Sequence, residues 1–192
     1  MLLLGVLPLM ATAQEIPRAA HQYRAELTRV AHSTWGLDAP VAVFAAQIEQ
    51  ESGWNPEAVS RVGARGMAQF MPETARWWCE VNGLSAMACQ PTTPAWALRA
   101  LVGYDYWLYE RVRAGSEFDR MWAALRAYNG GLGHWQLEAK NVFPAIDRRT
   151  VDGACGKARR SPRHCAENLR YPHRILLVLQ PRYESWGRGV ME

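Results

Sequence analysis

Apolar side chains in this chain return every three or four residues, and no stretch alternates them convincingly with polar ones. That period commits the backbone to helices, because a 3.6-residue turn is what puts such positions on one face. Tyr23, Leu27, Val30, Ala31 and Trp35 keep it, with Gly36 placed to close the turn. Asp38 stands where it can cap a second helix with Pro40 in its first turn and a stripe of Val41, Phe44, Ala45 and Ile48. Gly53, Asn55 and Pro56 stop it. Residues 57–72, rich in small side chains, read as irregular. A third helix should start near Pro72 and carry Trp77 and Trp78. A long one should run over about 95–113, with Leu101, Tyr104, Leu108 and Val112 on one face. Asp119 can cap another that buries Met121, Trp122 and Leu125 and ends at Tyr128-Asn129-Gly130-Gly131. A short helix over 133–141, and a last one with Ile175, Leu176 and Leu179 before Pro181, complete the pattern. The expectation is one mainly α domain, with a small irregular or β region behind the second helix.

A chain of 192 residues, 49% of them hydrophobic, can bury one good core. Its N-terminus, MLLLGVLPLMATAQ, is an apolar run ending in Ala11-Thr12-Ala13, a small-x-small site. We read residues 1–13 as a signal-like segment, too short for a fixed membrane span, and residues 14–192 as the domain. It lacks the basic stretch that usually opens a secretory signal, so export is atypical or the start lies upstream. The four cysteines agree with export to an oxidising compartment. They allow three pairings, of which two local loops, Cys79–Cys89 and Cys155–Cys165, are the simplest. No CxxC or Cys/His spacing supports a metal, and no cofactor motif is present.

The net charge is +4, and only two of the 22 basic residues are lysines. The arginines thicken late: Arg148, Arg149, Arg159, Arg160, Arg163, Arg170 and Arg174. Such a surface favours an anionic partner. No nucleic-acid motif accompanies it, so nucleic acid is not the expected one. Nine tryptophans and seven tyrosines suit a core, and also suit stacking on the apolar faces of sugar rings.

The stretch QIEQESGWNP, residues 47–56, places two glutamates where an apolar helix meets a turn. On a helical wheel Glu51 and Glu49 fall on opposite shoulders of the stripe, with little to separate them. The turn after Glu51 favours it, since its carboxylate meets a cleft edge. Glu49 reads as a partly exposed helix residue. An acid beside Phe44 and Ile48 has surroundings that raise its pKa toward neutrality, as protonation of a glycosidic oxygen requires. Most glycosidases add a second carboxylate. None follows at a defensible spacing: Glu73 suits the first turn of a helix, and Asp105 and Glu110 read as helix surface. Gly63 and Gly66 permit positive φ and close backbone approach, useful beside a bulky polymer.

ESGWNPEAVSRVGARGMAQFMPETA, residues 51–75, closely resembles the signature of the soluble lytic transglycosylases, peptidoglycan-cleaving enzymes with a lysozyme-like α+β fold. Ala127-Tyr128-Asn129-Gly130-Gly131 resembles a second motif of that family, and Glu167, Tyr171 and Ile175 echo a third. The resemblance implies Glu51 as general acid and then base, with Ser60 near the reacting pair. It implies that Gln69, Met71, Tyr128 and Asn129 line sugar subsites and that Tyr171 orients Glu51. Two departures stand out. Met67-Ala68-Gln69 replaces the usual Leu-Met-Gln, and Pro172 after Tyr171 should hold that tyrosine at a helix start. The implied partner is the peptidoglycan glycan strand, cleaved at its β-1,4 MurNAc–GlcNAc bond to leave a 1,6-anhydro end. An exported, periplasmic monomer is expected, with no stable membrane span; phage endolysins are among such compact members. The alternatives are a hydrolase similar to goose-type lysozymes and a catalytically silent peptidoglycan-binding part of an envelope-spanning machine.

Overall fold

The structure is a computed structural model, and it describes residues 15–192; the signal-like segment 1–13 lies outside them. Eight α-helices follow in order: α1 Arg24–Trp35, α2 Val41–Ser52, α3 Pro72–Val81, α4 Pro94–Tyr109, α5 Glu117–Gly130, α6 Leu132–Lys140, α7 Arg148–Asp152 and α8 Cys165–His173. α8 runs on into a π-helical stretch, Arg174–Leu179, and a 3-10 turn, Gln180–Tyr183. Among the described residues the β component is two isolated antiparallel bridges, Val59 with Arg65 and Arg65 with Phe70. No described helix is long and apolar enough to cross a membrane.

α2 is the axis of the domain. Every residue from Val41 to Ile48 is buried, so this part of the helix is enclosed on all sides rather than along one stripe. α1, the π-helical stretch and the 3-10 turn wrap it. Its start differs from expectation: Pro40, not Asp38, holds the cap position, and no side chain caps it. Ala39, preceding a proline, is pushed out of the helical region, so the first turn begins too late for Asp38 to reach. The free Ala42 N–H is satisfied instead by the Arg188 carbonyl of the C-terminal tail, at 3.0 Å.

Two other ends shift for local reasons. Ser116, not Asp119, caps α5; its hydroxyl accepts from the Asp119 N–H at 3.0 Å. α4 ends at Tyr109, short of the expected 113, and the Arg111 guanidinium caps its last turn by donating to the Trp107 carbonyl at 2.9 Å. Both local disulfides are formed, Cys79–Cys89 and Cys155–Cys165. The first pins the loop after α3; the second pins the chain leading into α8.

Tyr171 is inside α8, not at a helix start, and Pro172 follows it within the helix. Proline removes one helical hydrogen bond. Tyr171 and Pro172 are both buried, and packing of this segment against α2 and α5 outweighs the local preference.

Candidate active site

The last turn of α2 leaves the core between its two glutamates. Glu49 pairs with Arg182 and accepts from the Tyr183 hydroxyl. That hydroxyl also accepts from the Trp54 ring N–H at 2.8 Å. Glu49 is therefore part of the packing rather than a loosely exposed helix residue. The network holds a costly backbone: Gly53 and then Trp54 adopt positive φ, 59° and 69°. For a tryptophan this conformation is strained, and it persists because the ring is buried against Tyr23 and Trp186. The chain thus turns away immediately after Glu51.

Glu51 lies at the junction of two adjoining hollows of about 390 and 380 Å³, which together make one cleft. The Tyr171 hydroxyl donates to its Oε1. Burial pushes the carboxyl from an ordinary 4.5 up to about 8, the Tyr171 bond opposing part of the rise. The acid is therefore protonated at neutral pH. A larger hollow of about 690 Å³ opens between α1 and α4, but no carboxyl raised toward neutrality faces it. The chemistry follows the acid, not the size of the hollow.

Ser60, Gln69, Met71, Tyr128 and Asn129 line the 380 Å³ half with Glu51. Tyr171 lines the other half and stacks on Tyr128, centroids 6.4 Å apart. Tyr128 donates to the Ala68 carbonyl at 2.7 Å, so its ring faces the cleft while its hydroxyl is spent on the loop. Gln69 has φ +48° and donates to the Ala58 and Gly66 carbonyls at 3.1 and 2.9 Å. Ser60 accepts from the Ala64 N–H at 2.9 Å. Gly66 has a different role from the expected one. A Cβ there would lie 2.1 Å from the Pro91 carbonyl oxygen, so its close approach is to the protein's own backbone.

Three features escaped sequence reading. Asp105 is not helix surface: it is fully buried and accepts from Gln47 at 3.3 Å, one turn before Glu51. Burial, and the nearby Glu51, push its carboxyl well up, and one of its oxygens has no partner. Its position four after Leu101 and three before Leu108 was the available signal. Glu167 lines both halves of the cleft, a second carboxylate that spacing alone did not bring to Glu51. Behind Asn129 stands a buried ionic lattice. Arg126 donates to Glu138 at 2.6 Å and to Asp152 at 2.9 Å, and Arg160 donates to Glu138 at 2.8 Å. Asn168 joins it to the cleft, donating to the Arg126 carbonyl and to Asn129 Oδ1 at 2.9 and 3.1 Å.

A helical domain built round one buried axis helix, with a neutral acid where that helix ends in an aromatic cleft, is a lysozyme-like domain. The comparisons narrow this. The transglycosylase SLT domain family matches residues 26–148, and the chain belongs to that family. It is 37% identical over 106 residues to the membrane-bound lytic murein transglycosylase F of Pasteurella multocida, covering 54% of this chain and 20% of that protein. To the protein of the same name from Maricaulis maris it is 40% identical over 107 residues, covering 55% and 22%. The chain thus spans about a fifth of the length of these relatives. The 70 kDa soluble lytic transglycosylase of Escherichia coli has the same fold, with a TM-score of 0.68 at 22% identity over 87% of this chain and 25% of that one. The lytic transglycosylase Slt of Pseudomonas aeruginosa, solved as an inactive mutant, gives 0.67 at 22% over 92% and 26%.

Proposed function

We propose that this domain is a peptidoglycan lytic transglycosylase that cleaves the β-1,4 MurNAc–GlcNAc bond and leaves a 1,6-anhydro muramoyl end. The observation that carries the reading is the protonated Glu51, held by Tyr171 at the centre of the cleft. Glu51 gives its proton to the glycosidic oxygen as the C1–O bond breaks. The substrate's 2-acetamido oxygen bonds to C1 and carries the developing charge. The Glu51 carboxylate then takes the proton of the C6 hydroxyl, whose oxygen bonds to C1 and displaces the acetamido oxygen. No water is consumed, and the acid is regenerated.

Tyr171 keeps one Glu51 oxygen engaged, leaving the other for both proton transfers. In this reading Tyr128, Asn129, Gln69, Met71 and Ser60 hold the sugars so that O6 reaches C1, a proximity effect. Residues 1–13 direct export, and the two disulfides suit an oxidising periplasm. One observation favours the hydrolytic alternative: Glu167 gives the cleft a second carboxylate that can activate water. Mass spectrometry of digested peptidoglycan tests the choice. Muropeptides lighter by one water are expected, and predominantly reducing ends would overturn the transglycosylase step.

A further inference from the structure

The two halves of the cleft differ in charge. The half holding Ser60, Gln69, Met71 and Tyr128 has no cationic lining residue, as suits neutral sugars. The other half, with Glu51, Asn129 and Tyr171, is lined by Arg163, Arg170 and Arg174. Spacings of seven and four place these arginines on one face of α8 and its flanks, on the helix that carries Tyr171.

The buried and half-buried arginines Arg126, Arg148, Arg160 and Arg182 all pair with carboxylates. Arg163, Arg170 and Arg174 are exposed and make no ion pair among the described residues; Arg163 reaches the His164 ring at 3.1 Å. Glu167 is the one carboxylate on the same face. Arg170 and Arg174, one turn apart, repel each other, and Arg163 sits at the N-terminal approach of α8, where the helix dipole disfavours a cation. Three cations against the single carboxylate of Glu167 leave this wall of the cleft with an excess of positive charge open to an anionic ligand.

We propose that Arg163, Arg170 and Arg174 select glycan strands bearing peptides with free carboxylates, binding those carboxylates along this half of the cleft. The inference rests on the peptidoglycan reading. In such strands the lactyl carboxyl of each muramoyl residue is tied up as the amide to its peptide, so the anionic groups available to the row are those of the peptides. Arginine suits them because its planar fork pairs with a carboxylate through two hydrogen bonds.

The test compares soluble glycan strands that carry peptides with the same strands whose peptide carboxylates have been amidated; stripping by an amidase is no substitute, because it frees a lactyl carboxylate on each muramoyl residue. The full chain should cleave the first set roughly tenfold more efficiently than the second, through KM, with the preference shrinking at high salt. The R163Q/R170Q/R174Q variant should bring the ratio close to one, and the corresponding lysine variant should restore much of it. Equal cleavage of the two sets by the unaltered chain, or a preference that survives the glutamine variant, would overturn the proposal. Binding is read separately with the Glu51→Gln protein and a labelled strand. If the unaltered chain cleaves no strand, the transglycosylase reading falls, while this binding preference still decides the arginines. Displacement of the strand by polyphosphate as readily as by peptide-bearing strands would mark a general anion patch and sink the assignment.

Discussion

The Tyr171 hydroxyl donates to Glu51 Oε1 across 120 positions of sequence, joining the end of α8 to the end of α2. Its bond favours the ionised carboxylate and so works against burial. Tyr171→Phe should therefore move the high-pH limb of kcat/KM upward, above its place near pH 8, while lowering kcat about 10–100-fold through loss of orientation. A pH–rate profile checks both effects. An unmoved limb would show that the phenol does not act on the acid.

Burial of Glu51 also has a cost in stability with a definite sign. Below the ordinary 4.5, folded and unfolded chains both hold the proton. Between 4.5 and about 8 the unfolded chain releases it and the folded chain keeps it, so stability falls as pH rises through that window. Glu51→Gln should abolish cleavage yet be more stable at pH 8 by ~4 kcal/mol, roughly 8–16 °C in Tm. Asp105, also pushed well up, adds to the same slope, and Asp105→Asn should flatten it further. Calorimetry across pH 5–8 reads both slopes.

Glu49 supplies the contrast. The wheel puts both glutamates at the edge of a stripe, but only the folded chain shows that Arg182 and Tyr183 close on Glu49. Glu49→Gln should destabilise by about 1–3 kcal/mol, through the ion pair and the turn at Trp54. Residual activity per folded molecule should stay far above that of Glu51→Gln. A Glu49 variant that is folded and dead would reverse the assignment.

What the sequence makes legible follows from locality. Helix positions come from period and punctuation, and the QESGWNP turn comes from residues that are chemical neighbours. Caps at Asp38 and Asp119 fail by two or three residues because a proline or a nearby serine competes for the same turn. Asp105 is misread because a charged residue on an apolar face is ordinarily an exposed edge, and its partner Gln47 lies 58 positions away. The lattice of Arg126, Glu138, Asp152 and Arg160 is invisible for the same reason: each ion is sensible only beside partners from other segments of the chain. Pro172 is read by its local preference, which tertiary packing overrides.

That lattice makes its own prediction. Arg126 and Glu138 are fully buried, so Glu138→Gln leaves two guanidinium groups short of charge and should cost about 3–5 kcal/mol. Because Asn168 passes the arrangement to Asn129, KM should rise in whatever fraction folds. Chemical denaturation and kinetics on the refolded protein separate the two effects.

The product depends on what Glu167 does, and the structure makes that a question about one carboxylate. If Glu167 positions water, replacing it must lower hydrolysis selectively. If O6 is the nucleophile, Glu51 serves both steps, first as acid and then as base, and Glu167 contributes only to holding the sugars. Its exposure favours the second account: an exposed side chain at the cleft wall holds a water in no fixed position against C1. O6, by contrast, is tethered to the ring that carries C1 and meets it at high effective concentration. Glu167→Gln should therefore leave the anhydro product dominant while lowering overall turnover about tenfold or less. Digests analysed by mass for anhydro against reducing ends give the answer directly. An unaltered chain releasing mainly reducing ends, with Glu167→Gln removing them, would make the domain a hydrolase with Glu51 still its acid.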